Sequence, residues 1–201
     1  MPRAFFCLLV VASVADAQNQ QSPPILLAAS SFATTEVHVN SRPIGRRWYA
    51  EDAAFTGPAR IAISYGQPHA RGRKVEGGLI PNDTVWRFGA NVATALHTDV
   101  DLTLGTLAVP RGDYSLFLLK SGSSWQLIVN SRTATWGTDR DASKDIGRVT
   151  LTPRTLGEPE ESLSIYLVPD ARAGAESGQL SGTLRIKWGV TELKTNWTVK
   201  Q

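Results

Sequence analysis

The chain has 201 residues, of which 42% are hydrophobic and 19% are charged, and its net charge is +3 at pH 7. This length supports a hydrophobic core of ordinary size, and the composition excludes intrinsic disorder, which requires low hydrophobicity and high net charge. The small excess of basic residues does not form a recognisable nucleic-acid-binding motif, and we therefore predict no nucleic-acid partner. No metal or catalytic motif is strong enough to name a reaction, and no cofactor is predicted.

Residues 1–17 have the pattern of a signal peptide. Arg3 supplies a positive charge, residues 4–14 form an apolar segment too short to span a bilayer, and residues 15–17 (Ala-Asp-Ala) match the small-x-small pattern at signal-peptidase sites. The alternative is a buried N-terminal helix or strand. We expect export to the periplasm or the medium, with a mature chain that starts at Gln18 and has no transmembrane segment.

The rest of the chain divides at about residue 59. Residues 18–58 begin with a Gln-, Ser-, Pro- and Ala-rich stretch and are predicted to be a linker with a possible edge strand. Residues 59–201 alternate apolar and polar side chains with period two, as strands of antiparallel sheets do. They are predicted to form a single all-β domain, a β-sandwich of mostly antiparallel strands, with a β-barrel as the alternative. The alternating segments are 61–65, 96–104, 125–129, 148–152, 162–167, 183–188 and 192–199.

Two further patterns predict how strands connect. Residues 114–119 (YSLFLL) are apolar on both faces, which predicts a central strand covered on both sides or one beneath a loop. The polar and glycine residues at 121–124 predict a hairpin to the strand at 125–130. Gly189 predicts a second hairpin between the last two strands.

A polar face of the segment 96–104 carries His97, Asp99 and Asp101. Alternate side chains of these types could supply metal ligands. The opposite face is apolar, and a solvated polar face explains the three residues without a metal. A metal site there is the weaker alternative. His69 lies in a Pro- and Gly-containing loop, and no nucleophile motif adjoins it.

The segment 65–94 is the most informative part of the sequence. It combines a long glycine-rich loop with cationic, aromatic and amide side chains, and long loops in compact domains are often functional. Arginine offers a planar fork for carboxylate or phosphate, tryptophan a broad apolar face, and asparagine both a donor and an acceptor. The predicted ligand contacts are Arg71, Arg73, Trp86, Arg87 and Asn91. The structural alternative is that Arg87 pairs with a buried carboxylate and that Asn91 braces a turn.

The six tryptophans divide into two groups. Trp125, Trp188 and Trp197 are in phase with apolar strand faces and are predicted to be core. The other three lie in or near loops, where they either form a ligand platform or cover an end of the sandwich: Trp48, Trp86 and Trp136.

Several short motifs resemble a bacterial family known as the domain of unknown function 2911 family, over about residues 59–199. The motifs are Gly72-Arg73-Lys74, Gly77-Gly78-Leu79-Ile80-Pro81, Val85-Trp86-Arg87-x-Gly89-Ala90-Asn91, Ala93-Thr94, Pro110-x-Gly112-x-Tyr114-Ser115-Leu116, Trp125, Trp136-Gly137 and Trp188. The resemblance implies a fold and a compartment, and the name implies no activity. The chain departs from the family pattern at Gln67, where an arginine is usual, and at Val92, where a glutamate is usual. We hypothesise that those two residues pair in the family and that this member has lost the pair.

The sequence thus predicts an exported binding or interaction module. The expected partner is a small molecule, a glycan or a component of the cell envelope. The competing prediction is a secreted or periplasmic hydrolase that uses polar residues of the 67–97 region. A structural protein of the envelope is the third alternative.

Overall fold

The structure is a computed structural model that describes residues 25–39, 42–43, 55–56, 59–170 and 180–200. The predicted signal peptide and Trp48 lie outside these residues. Within the described ranges, the helical content is one short 3-10 turn at Ala142–Lys144, and no helix there is long and apolar enough to cross a membrane.

The described residues form twelve β-strands. The strands β1 to β6 are Ser31–Val39, Arg42–Pro43, Phe55–Thr56, Ala59–Gln67, Val85–Trp86 and Thr94–Thr98. The strands β7 to β12 are Leu102–Leu104, Leu107–Val109, Gly112–Ser121, Ser124–Asn130, Asp145–Pro169 and Ser181–Val199.

Ten strands form one antiparallel sheet in the order β1-β4-β6-β9-β10-β11-β12-β7-β8, with β5 attached to β9. The sheet is not closed into a barrel, and the predicted all-β sandwich is confirmed. The sheet folds over itself, because the second half of β11 reaches back to the strands at the opposite end. There the Ile165 amide donates to Tyr65 Oη at 3.0 Å, and the Leu167 amide to Thr35 Oγ1 at 3.3 Å. Since β1 is part of this sheet, the folded unit includes residues 31–39.

The last two strands, β11 and β12, are long and bent, and each of them runs from one layer of the folded sheet into the other. In a straight strand, Arg185 and Glu192 would be separated by roughly 23 Å, yet Arg185 Nε donates to Glu192 Oε1 at 2.6 Å. The bend lies at Gly189, whose φ is +57°. The pairing register of β11 with β12 shifts at the same level, around Glu160. The predicted hairpin at Gly189 is therefore wrong, because this glycine turns a corner within one strand.

The alternating segment 96–104 is also not a single strand. The chain leaves β6 after Thr98 and turns into β7, which pairs with β12 instead of β4 and β9. The carboxylates of Asp99 and Asp101 hydrogen bond this turn to neighbouring segments of the chain. Asp99 accepts from the Arg60 amide at 2.9 Å, and Asp101 accepts from the Arg111 amide at 2.8 Å. The alternation of apolar and polar side chains continues across the turn because β6 and β7 both face the same core.

The core lies between the two layers of the folded sheet. Its main cluster takes the inward faces of all the long strands and includes Trp125, Trp188 and Trp197, each buried as predicted. The prediction for residues 114–119 is also confirmed. Phe117 on β9 points away from the main core and is buried with Ala93 and Ile128 in a second, smaller cluster.

Candidate functional site

The loop between β4 and β6 is ordered by its own side chains. Val75 and Ile80 are buried in the main core. Between them the Ile80 amide donates to the Val75 carbonyl at 2.8 Å, and the Leu79 amide donates to the Lys74 carbonyl at 3.0 Å. Burial of apolar side chains and backbone hydrogen bonds together fix the loop.

The second half of this loop closes directly onto β4. The Ala90 amide donates to the Gly66 carbonyl at 2.9 Å. A Cβ atom at position 66 would lie 2.1 Å from the Ala90 carbonyl oxygen, so only glycine permits this approach. Phe88 and Asn91 adopt left-handed backbone angles, with φ of 56° and 64°, which give the segment 86–92 its compact shape.

Two tryptophans from distant parts of the chain stack behind the loop. The Trp86 and Trp188 rings have centroids 5.6 Å apart and an interplanar angle of 18°. Trp188 Nε1 also donates to the Glu161 carbonyl at 3.1 Å. Both rings are buried. Trp86 is therefore a wall of the site rather than an exposed platform. Sequence patterns did not predict that Trp188 would stack against it.

All five predicted ligand contacts line one cleft, with a volume of about 250 Å³. We call it the arginine cleft. The remaining lining residues include no carboxylate: Ala29, Ser30, Pro68, Leu79, Gly89, Ala90 and Trp188. Among the described residues, the cleft is therefore lined by three cationic side chains and no carboxylate.

The guanidinium groups of the cleft are held by backbone carbonyls. Arg73 Nε donates to the Ala70 carbonyl at 3.0 Å, and Arg73 Nη2 donates to the His69 carbonyl at 2.8 Å. Arg87 Nε donates to the Gly89 carbonyl at 3.0 Å. Among the described residues, no carboxylate lies within 4.0 Å of the guanidinium groups of Arg71, Arg73 or Arg87. The alternative in which Arg87 pairs with a buried carboxylate is not observed there.

Asn91 has a backbone role as well as a place in the cleft. Asparagine tolerates the left-handed conformation better than most residues, and the Asn91 carbonyl accepts from the Gly137 amide at 3.1 Å. Its side chain is exposed at the cleft rim. It therefore braces a turn, as the structural alternative proposed, and still presents its amide to the cleft.

A family model described as "Protein of unknown function (DUF2911)" matches residues 50–196. The chain belongs to this family. The match confirms the resemblance seen in the motifs, and it spans the entire loop that forms the arginine cleft. No curated protein and no solved structure shows a significant match to the chain.

The two positions at which we expect this DUF2911 protein to depart from the family pattern face different partners. Gln67 Nε2 donates to the Leu163 carbonyl at 2.9 Å, and Gln67 Oε1 accepts from Ser31 Oγ at 2.9 Å. Val92 is paired with Trp136 in an isolated antiparallel bridge. Whether arginine and glutamate would pair at these positions stays a prediction.

His69 lies beside the arginine cleft, between two hydroxyl groups. Its Nδ1 is 2.8 Å from Ser162 Oγ, and its Nε2 is 3.2 Å from Ser31 Oγ. Among the described residues, no carboxylate hydrogen bonds to this ring. The arrangement therefore lacks the acid that orients the histidine in a Ser-His-Asp triad.

The structure does not bring His97, Asp99 and Asp101 together. His97 contacts Asp99 at 3.1 Å and Asp113, its partner across the sheet, at 2.8 Å, while Asp101 binds a backbone amide elsewhere. The hydrogen bond to Asp113 raises the pKa of His97 above its ordinary value, and Asp99 acts in the same direction. No metal-binding arrangement of three His, Cys, Asp or Glu residues occurs in the described part of the chain. Asp113 was missed because cross-strand register is not visible in the sequence.

Proposed function

We propose that this DUF2911 protein is an exported binding module whose arginine cleft takes a small anionic ligand. The observation that carries the proposal is the charge of the cleft, because its described lining residues include three arginines and no carboxylate. Carboxylate and phosphate both match the planar fork of a guanidinium group. The cleft is therefore suited to a ligand that carries either group.

The cleft is preorganised for such a ligand. The contact between Gly66 and Ala90 fixes the loop backbone, and carbonyl groups hold the guanidinium groups of Arg73 and Arg87. A fixed site loses little conformational freedom on binding, and this increases affinity. In a half-buried cleft, ionic hydrogen bonds are also stronger than on an open surface.

Binding has more support than hydrolysis or a purely structural role. The His69 ring contacts hydroxyl groups and no described carboxylate, and the His97 cluster is a surface ion cluster without a nucleophile among its hydrogen-bond partners. A structural protein has no need for unbalanced cations in a cleft. Export, to the periplasm or the medium, is part of the proposal and rests on the pattern of residues 1–17.

Isothermal titration of the purified processed protein with inorganic phosphate and with galacturonate tests the proposal. We expect at least one probe to bind, with affinity that falls as salt is added. Arg87→Ala should weaken binding at least tenfold without a large change in Tm. The matched control is Arg148→Ala, which removes an exposed arginine bonded to Gln126 on β10 and should leave affinity unchanged.

Arg87→Lys separates charge from geometry, because lysine keeps the charge and loses the fork. Its affinity should lie between those of the wild type and Arg87→Ala. The absence of binding to both probes, or an equal loss in Arg87→Ala and Arg148→Ala, would reject the proposal.

A further inference from the structure

A second cavity shares Trp86 and Arg87 with the arginine cleft. Its volume is about 240 Å³, and we call it the side cavity. Its other lining residues in the described part of the chain again include no carboxylate: Val85, Phe117, Gly137, Thr138 and Arg140. Arg87 thus belongs to two cavities at once.

Arg87 lies between these cavities in a fixed position. Its Nε binds the Gly89 carbonyl, and hydrogen bonds from its terminal Nη groups to described residues are absent. Gly137 packs against its side chain so closely that a Cβ atom there would lie 2.1 Å from Arg87 Cδ. With respect to the described residues, the two Nη groups are therefore donors that a ligand in either cavity can use.

The side cavity has a second arginine in its wall, and the charge of this arginine is paired. The Arg140 guanidinium pairs with Asp145 and lies 5.8 Å from the Phe117 ring centroid. Its Nε is buried and has no hydrogen-bond partner among the described residues. Thr138 adds a hydroxyl group to the same wall.

The size of the cavities indicates a ligand that occupies both. Each is smaller than about 300 Å³, where typical small-molecule pockets begin, and together they fall within that range. Trp136 directly precedes Gly137 of the side cavity and is 53% exposed. It is bridged to Val92, which directly follows Asn91 of the arginine cleft and is 41% exposed. An exposed tryptophan offers a flat apolar face with a polar edge, against which the CH face of a sugar ring packs.

We infer that the ligand is an acidic oligosaccharide that crosses Arg87, with carboxylates at the two cavities and a sugar ring on Trp136. This inference rests on the proposed function and names the ligand class of the same site. An acidic peptide or a polyphosphate would satisfy the arginines, but neither presents a row of sugar rings to the exposed tryptophan.

The test compares galacturonic acid with its linear trimer by isothermal titration. We expect the trimer to bind at least tenfold more tightly than the monomer. Trp136→Ala should abolish this gain and leave the monomer affinity within twofold. Thr138→Val should reduce the gain without removing the tryptophan. The control is Tyr166→Ala, which removes an exposed aromatic ring on β11, and thermal melts of every variant verify folding.

Each possible result of these titrations either supports or overturns the inference. If the trimer binds no more tightly than the monomer, the inference is overturned and the proposed function stands. The same holds if the tighter binding of the trimer persists in Trp136→Ala. Equal affinity for tri-aspartate or tripolyphosphate overturns the oligosaccharide as ligand class. If the wild type binds none of the three probes, which are the monomer, the trimer and inorganic phosphate, both proposals are overturned.

Discussion

At the scale of single residues, Gly66 allows the loop that forms the arginine cleft to close on β4. Gly66→Ala would place a Cβ atom 2.1 Å from a backbone oxygen of Ala90, which a side-chain rotation cannot relieve. Overpacking of this kind costs about 1–3 kcal/mol. For a domain of this size, the expected decrease in Tm is roughly 2–4 °C per kcal/mol, and it can be measured by differential scanning calorimetry.

The matched control for this change is Gly157→Ala on β11, where no atom lies within 4 Å of the added Cβ and φ is not positive. Its Tm should stay within about a degree of the wild type. Gly66→Ala should also weaken anion binding, because the loop that carries Arg87 can no longer close on β4. Equal Tm values for the two variants would show that the loop moves freely.

At the scale of secondary-structure elements, a buried carboxylate holds the bent strands together. Glu192 is fully buried on β12 and accepts from Arg154 Nε at 2.7 Å and from Arg185 Nε at 2.6 Å, while Lys194 lies 3.7 Å away. Burial alone would raise the pKa of Glu192, but the two arginines and Lys194 outweigh it and lower the pKa below its ordinary value of 4.5. This carboxylate joins β11 to β12 across the bend.

Glu192→Gln should therefore destabilise the protein. Breaking a buried ion pair costs about 3–5 kcal/mol, and we expect the lower end, because the Arg154 side chain is 58% exposed. The Tm at pH 7 should fall by roughly 6–12 °C. Glu158→Gln, at an exposed position of β11, is the control and should leave Tm unchanged.

The pH dependence of this effect has a defined sign. Because the folded-state pKa of Glu192 lies below its ordinary value, the carboxylate stabilises the fold above pH 4.5 and loses that contribution as the pH falls through the folded-state pKa. The difference in Tm between wild type and Glu192→Gln should consequently shrink on going from pH 7 to pH 3. A difference that stays constant over this range would mean that the charge of Glu192 contributes nothing to stability.

At the scale of the whole molecule, we propose that the chain is processed on export. When the full-length protein is expressed in a secreting bacterial host, cleavage after Ala17 should give a mature chain that starts at Gln18. Intact-mass spectrometry of the exported protein measures this directly. A mass that includes Met1 would contradict the proposal, and a variant with Arg at positions 15 and 17 should block cleavage, because signal peptidase requires small residues there.

Local patterns in the sequence determined the fold class and most of the cleft. Period two is a property of each strand by itself, so it survives in any tertiary arrangement. The predicted cleft residues lie within 21 positions of one another, from Arg71 to Asn91, in a loop anchored by its own apolar side chains. Their proximity is largely a consequence of chain connectivity, and their chemistry could be recognised without the structure.

Only the tertiary structure decided which strands pair, where long strands bend and what completes the site. Gly189 is equally suited to a hairpin and to a corner, and the choice depends on β11, which lies beside it in space. Trp188 reaches the arginine cleft and Gly137 reaches the side cavity from segments far from the loop. Asp113 reaches His97 through strand register. Such contacts depend on the packing of the entire sheet, because long-range pairing is set by the shared core and not by the residues at either end of the contact.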